Sequence, residues 1–295
     1  MKLLNYYPRR QTTQHLAALV DGKIFDLTKL FPADSRFSSV SALLRAGQDA
    51  MSCAQRRLAE EAAGDHFLMD EIQYAPVVDE RCRIFCVGLN YADHAAENNL
   101  PPPRAPIFFA KLASTAIGNK GCIPLPAISQ QVDYEAEFAF VIGTRAKTVS
   151  VQDACRYIAG FTIMNDVTAR DLQFQDKQWF RSKNCDGFAP LGPWLVTADE
   201  ISNPNDLAIT LRLNGQVRQS SNTSRLFFKP SELLSLLSQT LTLEPGDVIS
   251  TGTPGGIGYY ADPQVFLKNG DVMEVEIDGI GVLQNTVVNQ SDLKP

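Results

Sequence analysis

Two glutamates one residue apart sit inside an apolar run, Val132-Asp133-Tyr134-Glu135-Ala136-Glu137-Phe138-Ala139-Phe140-Val141-Ile142-Gly143. Aromatic and β-branched residues dominate the run and a glycine closes it, which predicts a strand. Side chains alternate along a strand, so Glu135 and Glu137 share one face. Ala136, Phe138 and Phe140 take the other, where an apolar core would receive them. Two carboxylates about 6–7 Å apart along a strand repel each other unless a positive charge lies between them. Either the pair is solvated on the polar face of an edge strand, or it holds a metal together with ligands from elsewhere in the chain.

The chain has 295 residues, enough for one large domain or a small domain and a larger one. A net charge of −6, with no basic stripe interleaved with aromatics, argues against a nucleic-acid surface. No apolar run reaches the ~18 residues of a membrane span. The first ten residues lack the apolar core of a signal peptide, so the cytoplasm is the expected compartment. The six cysteines, Cys53, Cys82, Cys86, Cys122, Cys155 and Cys185, form no Cys-x-x-Cys pair and are expected to be reduced. Cys185 could act as a nucleophile on count alone, but three histidines, His15, His66 and His94, leave it few partners.

Residues 1–78 are predicted to form a small leading α+β domain, with 79–295 as the second. Leu16–Val20 and Lys23–Leu27 flank Asp21-Gly22, a hairpin signal. Ser39–Ala46 and Gln48–Ala63 have helical spacing, with Gly64 as a stop. Beyond Ile84 glycines and polar motifs become dense. Arg83–Gly88 reads as a buried strand. It enters a short helix that Asp93 could cap and Pro101-Pro102-Pro103 ends, a suitable lid. His94 and Glu97 are neighbours on that helix face. They are either a surface pair or a general base with its orienting carboxylate.

Pro106–Lys111 is a further apolar run, ending in a lysine. Ser150–Asp153 resembles a capping box, predicting a helix that ends at Gly160. Phe161–Met164 reads as a short strand ending near Asp166. A buried acid there is costly unless paired or metal-bound, so Asp166 either pairs with Arg170, caps the next helix, or is a third ligand. Asn214-Gly215 marks a hairpin, and Ser231–Gln239 a short amphipathic helix. Four glycines between Thr251 and Gly258 let the backbone approach an anion, with the Thr253 hydroxyl as a donor. No nucleotide-binding fingerprint follows an early strand, which speaks against a cofactor-binding oxidoreductase.

Five pieces in order resemble the fumarylacetoacetate hydrolase family, in particular its longer members with a leading domain. They are Gly88-x-Asn90-Tyr91-x-x-His94-x-x-Glu97, Tyr134-Glu135-x-Glu137, Asn165-Asp166-x-Thr168-Ala169-Arg170-Asp171-x-Gln173, Lys183-x-x-Asp186-x-Phe188-x-Pro190-x-Gly192-Pro193 and Thr251-Gly252-Thr253-Pro254. The resemblance implies an α+β fold, a mixed β-roll with flanking helices, and a homodimer. It implies Mg²⁺ or Mn²⁺, with Ca²⁺ a further candidate, on Glu135, Glu137 and Asp166; oxygen ligands suit such hard ions. It assigns Lys183, His94 and Glu97 to catalysis, and Gln173, Arg170, Thr253 and Lys111 to the substrate.

The implied reaction is hydrolysis of a C–C bond in a β-diketo acid or acylpyruvate-type 2-oxo acid through a stabilised enolate, with His94 activating water. Oxaloacetate decarboxylation or keto–enol tautomerisation at the same site is the alternative. A non-catalytic binding protein would be expected to have lost ligands, and none is missing. Asn184, Gly187 and Leu112 depart from the family's usual Ser, Thr and Pro, which bears on the substrate pocket more than on the metal.

Overall fold

A computed structural model describes residues 1–8, 11–60, 66–97 and 99–293. In chain order the main elements are β1 (Lys2–Tyr7), β2 (His15–Val20), β3 (Lys23–Asp26), α1 (Val40–Ala46), α2 (Gln48–Glu60), β4 (Ile84–Gly88), α3 (Ala92–Glu97), β5 (Ile107–Lys111), β6 (Cys122–Leu125), β7 (Ala136–Ile142), β8 (Ile158–Asn165), α4 (Arg170–Asp176), β9 (Ala189–Thr197), β10 (Ala208–Leu213), β11 (Gln216–Asn222), α5 (Pro230–Thr240), β12 (Val248–Ser250), β13 (Val272–Ile277) and β14 (Gly281–Asn289). The fold is α+β; the described residues form two large mixed sheets, one two-stranded ladder and few helices.

The larger sheet runs β3-β2-β1-β9-β8-β7-β12-β4-β5, and the smaller β11-β10-β13-β14-β6. Most pairs are antiparallel; β12–β4 and β14–β6 are parallel. One core lies between the sheets, where Phe138 and Phe140 share a cluster with Ile209, Leu211 and Val275. A second cluster joins Ala139, Val141 and Met164 to Leu43 and Leu44 of α1. Strand β7 is therefore buried on both faces, and Glu135 and Glu137 lie in the interior rather than on a solvated edge. Among the described residues no helix is long and apolar enough to cross a membrane.

The leading hairpin forms where Asp21-Gly22 predicts it, with φ of 49° and 76° at those residues. Asn214-Gly215 turns β10 into β11 in the same way, with φ of 53° and 77°. The expected stop at Gly64 lies outside the described residues. Strand β1 of the leading segment pairs with β9, at Lys2↔Val196 and Leu3↔Leu195. The apolar side chains of β1, β2 and α1 enter the second cluster beside those of β7 and β9.

The helix expected between Ser150 and Gly160 does not form. Ser150 Oγ donates to Asp153 Oδ2 at 2.8 Å, a turn cap, and only a 3₁₀ turn follows at Ala154–Tyr157. Ile158 onward is strand β8, bonded to β7 on one side and β9 on the other. Gly160 is a point of close strand approach, not a helix stop. A Cβ there would lie 2.1 Å from the Val196 carbonyl oxygen.

Candidate active site

Glu135 precedes β7, Glu137 lies within it, and Asp166 follows β8. The antiparallel pairing Ala136↔Asn165 brings these positions together. One oxygen from each carboxylate lies within 4.8 Å of the others, and all three residues are buried. Two residues paired by strand parity and one acid at a strand end thus converge on one buried cluster. The structure brings Arg170 and Lys183 to the same point without displacing Asp166 from the triad.

Four buried carboxylates, Asp133, Glu135, Glu137 and Asp166, face three buried cations, Lys111, Arg170 and Lys183. Lys183 Nζ donates to Glu135 Oε2 and to Asp166 Oδ2, each at 2.6 Å. Lys111 Nζ donates to Asp166 Oδ1 at 2.7 Å. Arg170 Nη2 donates to Glu135 Oε1 at 2.6 Å. Burial works against ionising Glu135, but Lys183 and then Arg170 outweigh it and hold the carboxyl below its ordinary range. Burial also works against the Lys183 charge, and Asp166 and Glu135 outweigh it, so Lys183 stays an ammonium.

Glu137 differs. Its Oε2 accepts from Ser250 Oγ at 2.5 Å and from the Gly252 amide at 3.2 Å, both neutral donors. Burial, and after it the charges of Asp166 and Glu135, push this carboxyl well above its ordinary range. A site one cation short of balance, whose remaining ligands are hard carboxylate oxygens, fits a divalent ion such as Mg²⁺ or Mn²⁺.

Asp133 organises the wall of the site and was not singled out from the sequence. Its carboxylate accepts from Arg170 Nε at 2.9 Å, Gly258 N at 2.8 Å and Tyr259 N at 3.0 Å. Arg170 Nη1 donates to Gln173 Oε1 at 3.0 Å. Each of the three guanidinium nitrogens therefore has a protein acceptor, and Arg170 shapes the cavity from behind. A guanidinium only donates, so Gln173 must offer Arg170 its oxygen, and its amide nitrogen is left for other acceptors.

The carboxylates face a cavity of 380 Å³, lined among others by His94, Glu135, Glu137, Asp166, Arg170, Gln173, Lys183 and Thr253. Its outer wall is apolar: Leu100, Phe109, Phe174, Trp179, Tyr259 and Tyr260. Trp179 lies so close over Gly88 that a Cβ there would be 2.6 Å from the indole ring. Lys111 and Glu97 do not line the cavity. Lys111 backs Asp166, and Glu97 backs His94.

The short helix that carries His94 and Glu97 is α3. Glu97 Oε2 lies 3.3 Å from His94 Nδ1, while Glu97 Oε1 accepts from Gly256 N at 3.0 Å. Asp93 is not the N-cap that its position suggests; it lies inside the first turn. Its carboxylate reaches across the chain, accepting from Gly255 N at 3.3 Å and from Ser221 Oγ. Helix α3 is thus fastened to the glycine loop of 251–258 by two carboxylates on backbone amides.

Fold and site together define a class: α+β enzymes that can hold a divalent cation on three buried carboxylates beside a short histidine-bearing helix. Residues 83–288 match the family model described as fumarylacetoacetate (FAA) hydrolase, C-terminal. A mitochondrial oxaloacetate tautomerase of Rattus norvegicus is 40% identical over 291 residues, covering 98% of this chain and 92% of its own. Fumarylacetoacetate hydrolase from Exiguobacterium antarcticum is similar in structure, with a TM-score of 0.85 and 33% identity over 98% of this chain and all of the other. Maleylpyruvate hydrolase from Sphingobium, solved with manganese(II) and pyruvate, gives a TM-score of 0.80 at 25% identity, covering 98% of this chain and 99% of the other. The chain belongs to the fumarylacetoacetate hydrolase family and is an enzyme of that family.

Proposed function

We propose that the protein is a divalent-metal-dependent keto–enol tautomerase whose substrate is oxaloacetate. Support comes first from the relative of that activity, alike along almost the whole of both chains at 40% identity. The site chemistry agrees with it. Interconversion of ketone and enol needs a base at the carbon beside the ketone and positive charge at the ketone oxygen. It needs no attacking water.

When bound, Mg²⁺ or Mn²⁺ would supply Lewis acidity at the 2-oxo group. The chain's own residues do the rest. His94, held by Glu97, takes a proton from C3, so the C3–H bond breaks and its electron pair moves into the C2–C3 double bond. Lys183, already an ammonium, stabilises the negative oxygen. His94 returns its proton to that oxygen, completing the O–H bond of the enol. Gln173 and Thr253 hold the substrate's oxygens. Tyr260 and Leu100, at the cavity wall, keep bulk water away from the charge.

A second reading, hydrolysis of an acylpyruvate, draws on the maleylpyruvate hydrolase relative and on the apolar wall, which would take an acyl group. The same His94 would then activate water. The two readings separate on product analysis. Metal-loaded enzyme in D₂O should speed deuterium uptake at C3 of oxaloacetate without forming new products, and should leave a short acylpyruvate intact. Release of pyruvate and a free acid from the acylpyruvate would replace the tautomerase reading with the hydrolase one.

A further inference from the structure

Gln219 lies on β11, in the smaller sheet, and is 1% exposed. Its amide touches three groups. Oε1 accepts from Ala136 N at 2.9 Å, and Nε2 donates to Pro254 O at 2.8 Å and to Thr253 Oγ1 at 2.8 Å. This orientation is forced. A backbone N–H can only donate, so the atom facing Ala136 must be the oxygen. A carbonyl can only accept, so the atom facing Pro254 must be the nitrogen. Both amide hydrogens are then committed, one of them to the Thr253 hydroxyl.

The consequence falls on Thr253. Its oxygen already accepts a hydrogen bond, and among the described residues no protein acceptor takes its own proton. Thr253 lines the cavity. We infer that Gln219 is a positioning residue that makes Thr253 a hydrogen-bond donor toward the cavity, so that this subsite selects an anionic or carbonyl oxygen of the ligand and rejects a donor such as an amide N–H. Gln173, turned by Arg170 in the same manner, adds a second donor. The inference rests on the cavity being the 2-oxo acid site proposed above, and it sharpens the ligand class. A ligand with acceptor oxygens at both ends fits, and one with an N–H at the Thr253 end does not.

The test compares oxalate with oxamate, in which an amide replaces one carboxylate. Calorimetry on the Mn²⁺-loaded full chain gives both dissociation constants, and neither ligand turns over. The readout therefore stands even if the enzyme proves inactive on oxaloacetate. The parent should prefer oxalate. In Gln219→Glu the introduced carboxylate accepts the Thr253 proton, so the oxalate preference should narrow by roughly tenfold, the scale of one charge-assisted hydrogen bond. Thr253→Val should lose the preference to a similar extent, and adding Gln219→Glu to it should change the preference less than about twofold. Mn²⁺ affinity of the ligand-free protein should stay near the parent's.

A merely structural role predicts something else: equal weakening of both ligands and a preference kept in every variant. That result overturns the inference, as would losses of preference that add in the double variant. If Gln219→Glu does not fold, Thr253→Val against Thr253→Ser decides the matter. The serine variant should keep the oxalate preference and the valine variant lose it, and a valine variant with the parental preference overturns the inference.

Discussion

Lys183 Nζ lies 2.6 Å from Glu135 Oε2, with both side chains almost wholly removed from solvent. Breaking a buried pair leaves an uncompensated charge and costs about 3–5 kcal/mol. Lys183→Met should therefore lower the thermal midpoint of the metal-free protein by several degrees. Added Mg²⁺ should recover part of the loss, since a cation again faces Glu135 and Asp166. Turnover should not return. Thermal melts with and without Mg²⁺ check this, and an unchanged midpoint in both would count against the assigned charge balance.

Asp133 holds Arg170 and the amides of Gly258 and Tyr259 with one carboxylate. Asp133→Asn removes the charge opposite a buried guanidinium. The expected loss is again about 3–5 kcal/mol of stability, with a raised KM because Gln173 and the Tyr259 wall shift together. Chemical denaturation and steady-state kinetics on the variant measure both.

His94→Gln should cut kcat by about 10²–10⁴, the usual contribution of a positioned general base. Glu97→Gln should cost nearly as much, because the Gly256 N–H claims the new amide's oxygen and leaves its NH2 facing His94 Nδ1, which puts the ring proton on the other nitrogen and removes the base. A loss below about tenfold in Glu97→Gln, read by steady-state kinetics, would show that Glu97 does not set the imidazole tautomer.

Cys82, on the segment leading to β4, is 6% exposed, and burial pushes its thiol up to about 11. The folded state thus holds this proton more tightly than the unfolded one. The thiol's contribution to stability is fully present below about 9 and is lost as pH rises toward 11. Cys82→Ala should flatten the alkaline fall in unfolding free energy over that window. Denaturant titrations at several pH values compare the slopes.

The parts of this enzyme legible in its sequence are those set by local periodicity or by a local energetic cost. Strand parity put Glu135 and Glu137 on one face, and the cost of burying an acid at a strand end marked Asp166. Asp21-Gly22 and Asn214-Gly215 need positive φ, which those residues adopt readily, so both hairpins were readable. The same cost falls on Asp133 in the apolar run of the glutamates, but the partners that meet it, Arg170, Gly258 and Tyr259, lie far along the chain.

Other features depend on partners far along the chain. Ser250 reaches Glu137 across 113 residues, and Gln219 reaches Ala136 across 83. No spacing rule reports such contacts. At Ser150–Gly160 a local helix signature lost to sheet pairing on both sides of β8, because two ladders of backbone bonds outweigh one cap. Asp93 likewise carries a cap's chemistry but uses it on a distant loop.

The most direct measurement of the central claim follows decay of the enol absorbance of oxaloacetate in the presence of metal-stripped enzyme, the same enzyme restored with Mg²⁺ or Mn²⁺, and the Glu137→Gln variant. Rapid relaxation is expected only for restored parent enzyme, with no acceleration by the stripped protein and none by the variant at any metal concentration. The variant should remain folded and, without metal, be at least as stable as the parent, because the replaced carboxylate takes its hydrogen bonds from the neutral donors Ser250 and Gly252. Full tautomerase activity in the stripped enzyme or in Glu137→Gln would contradict the account.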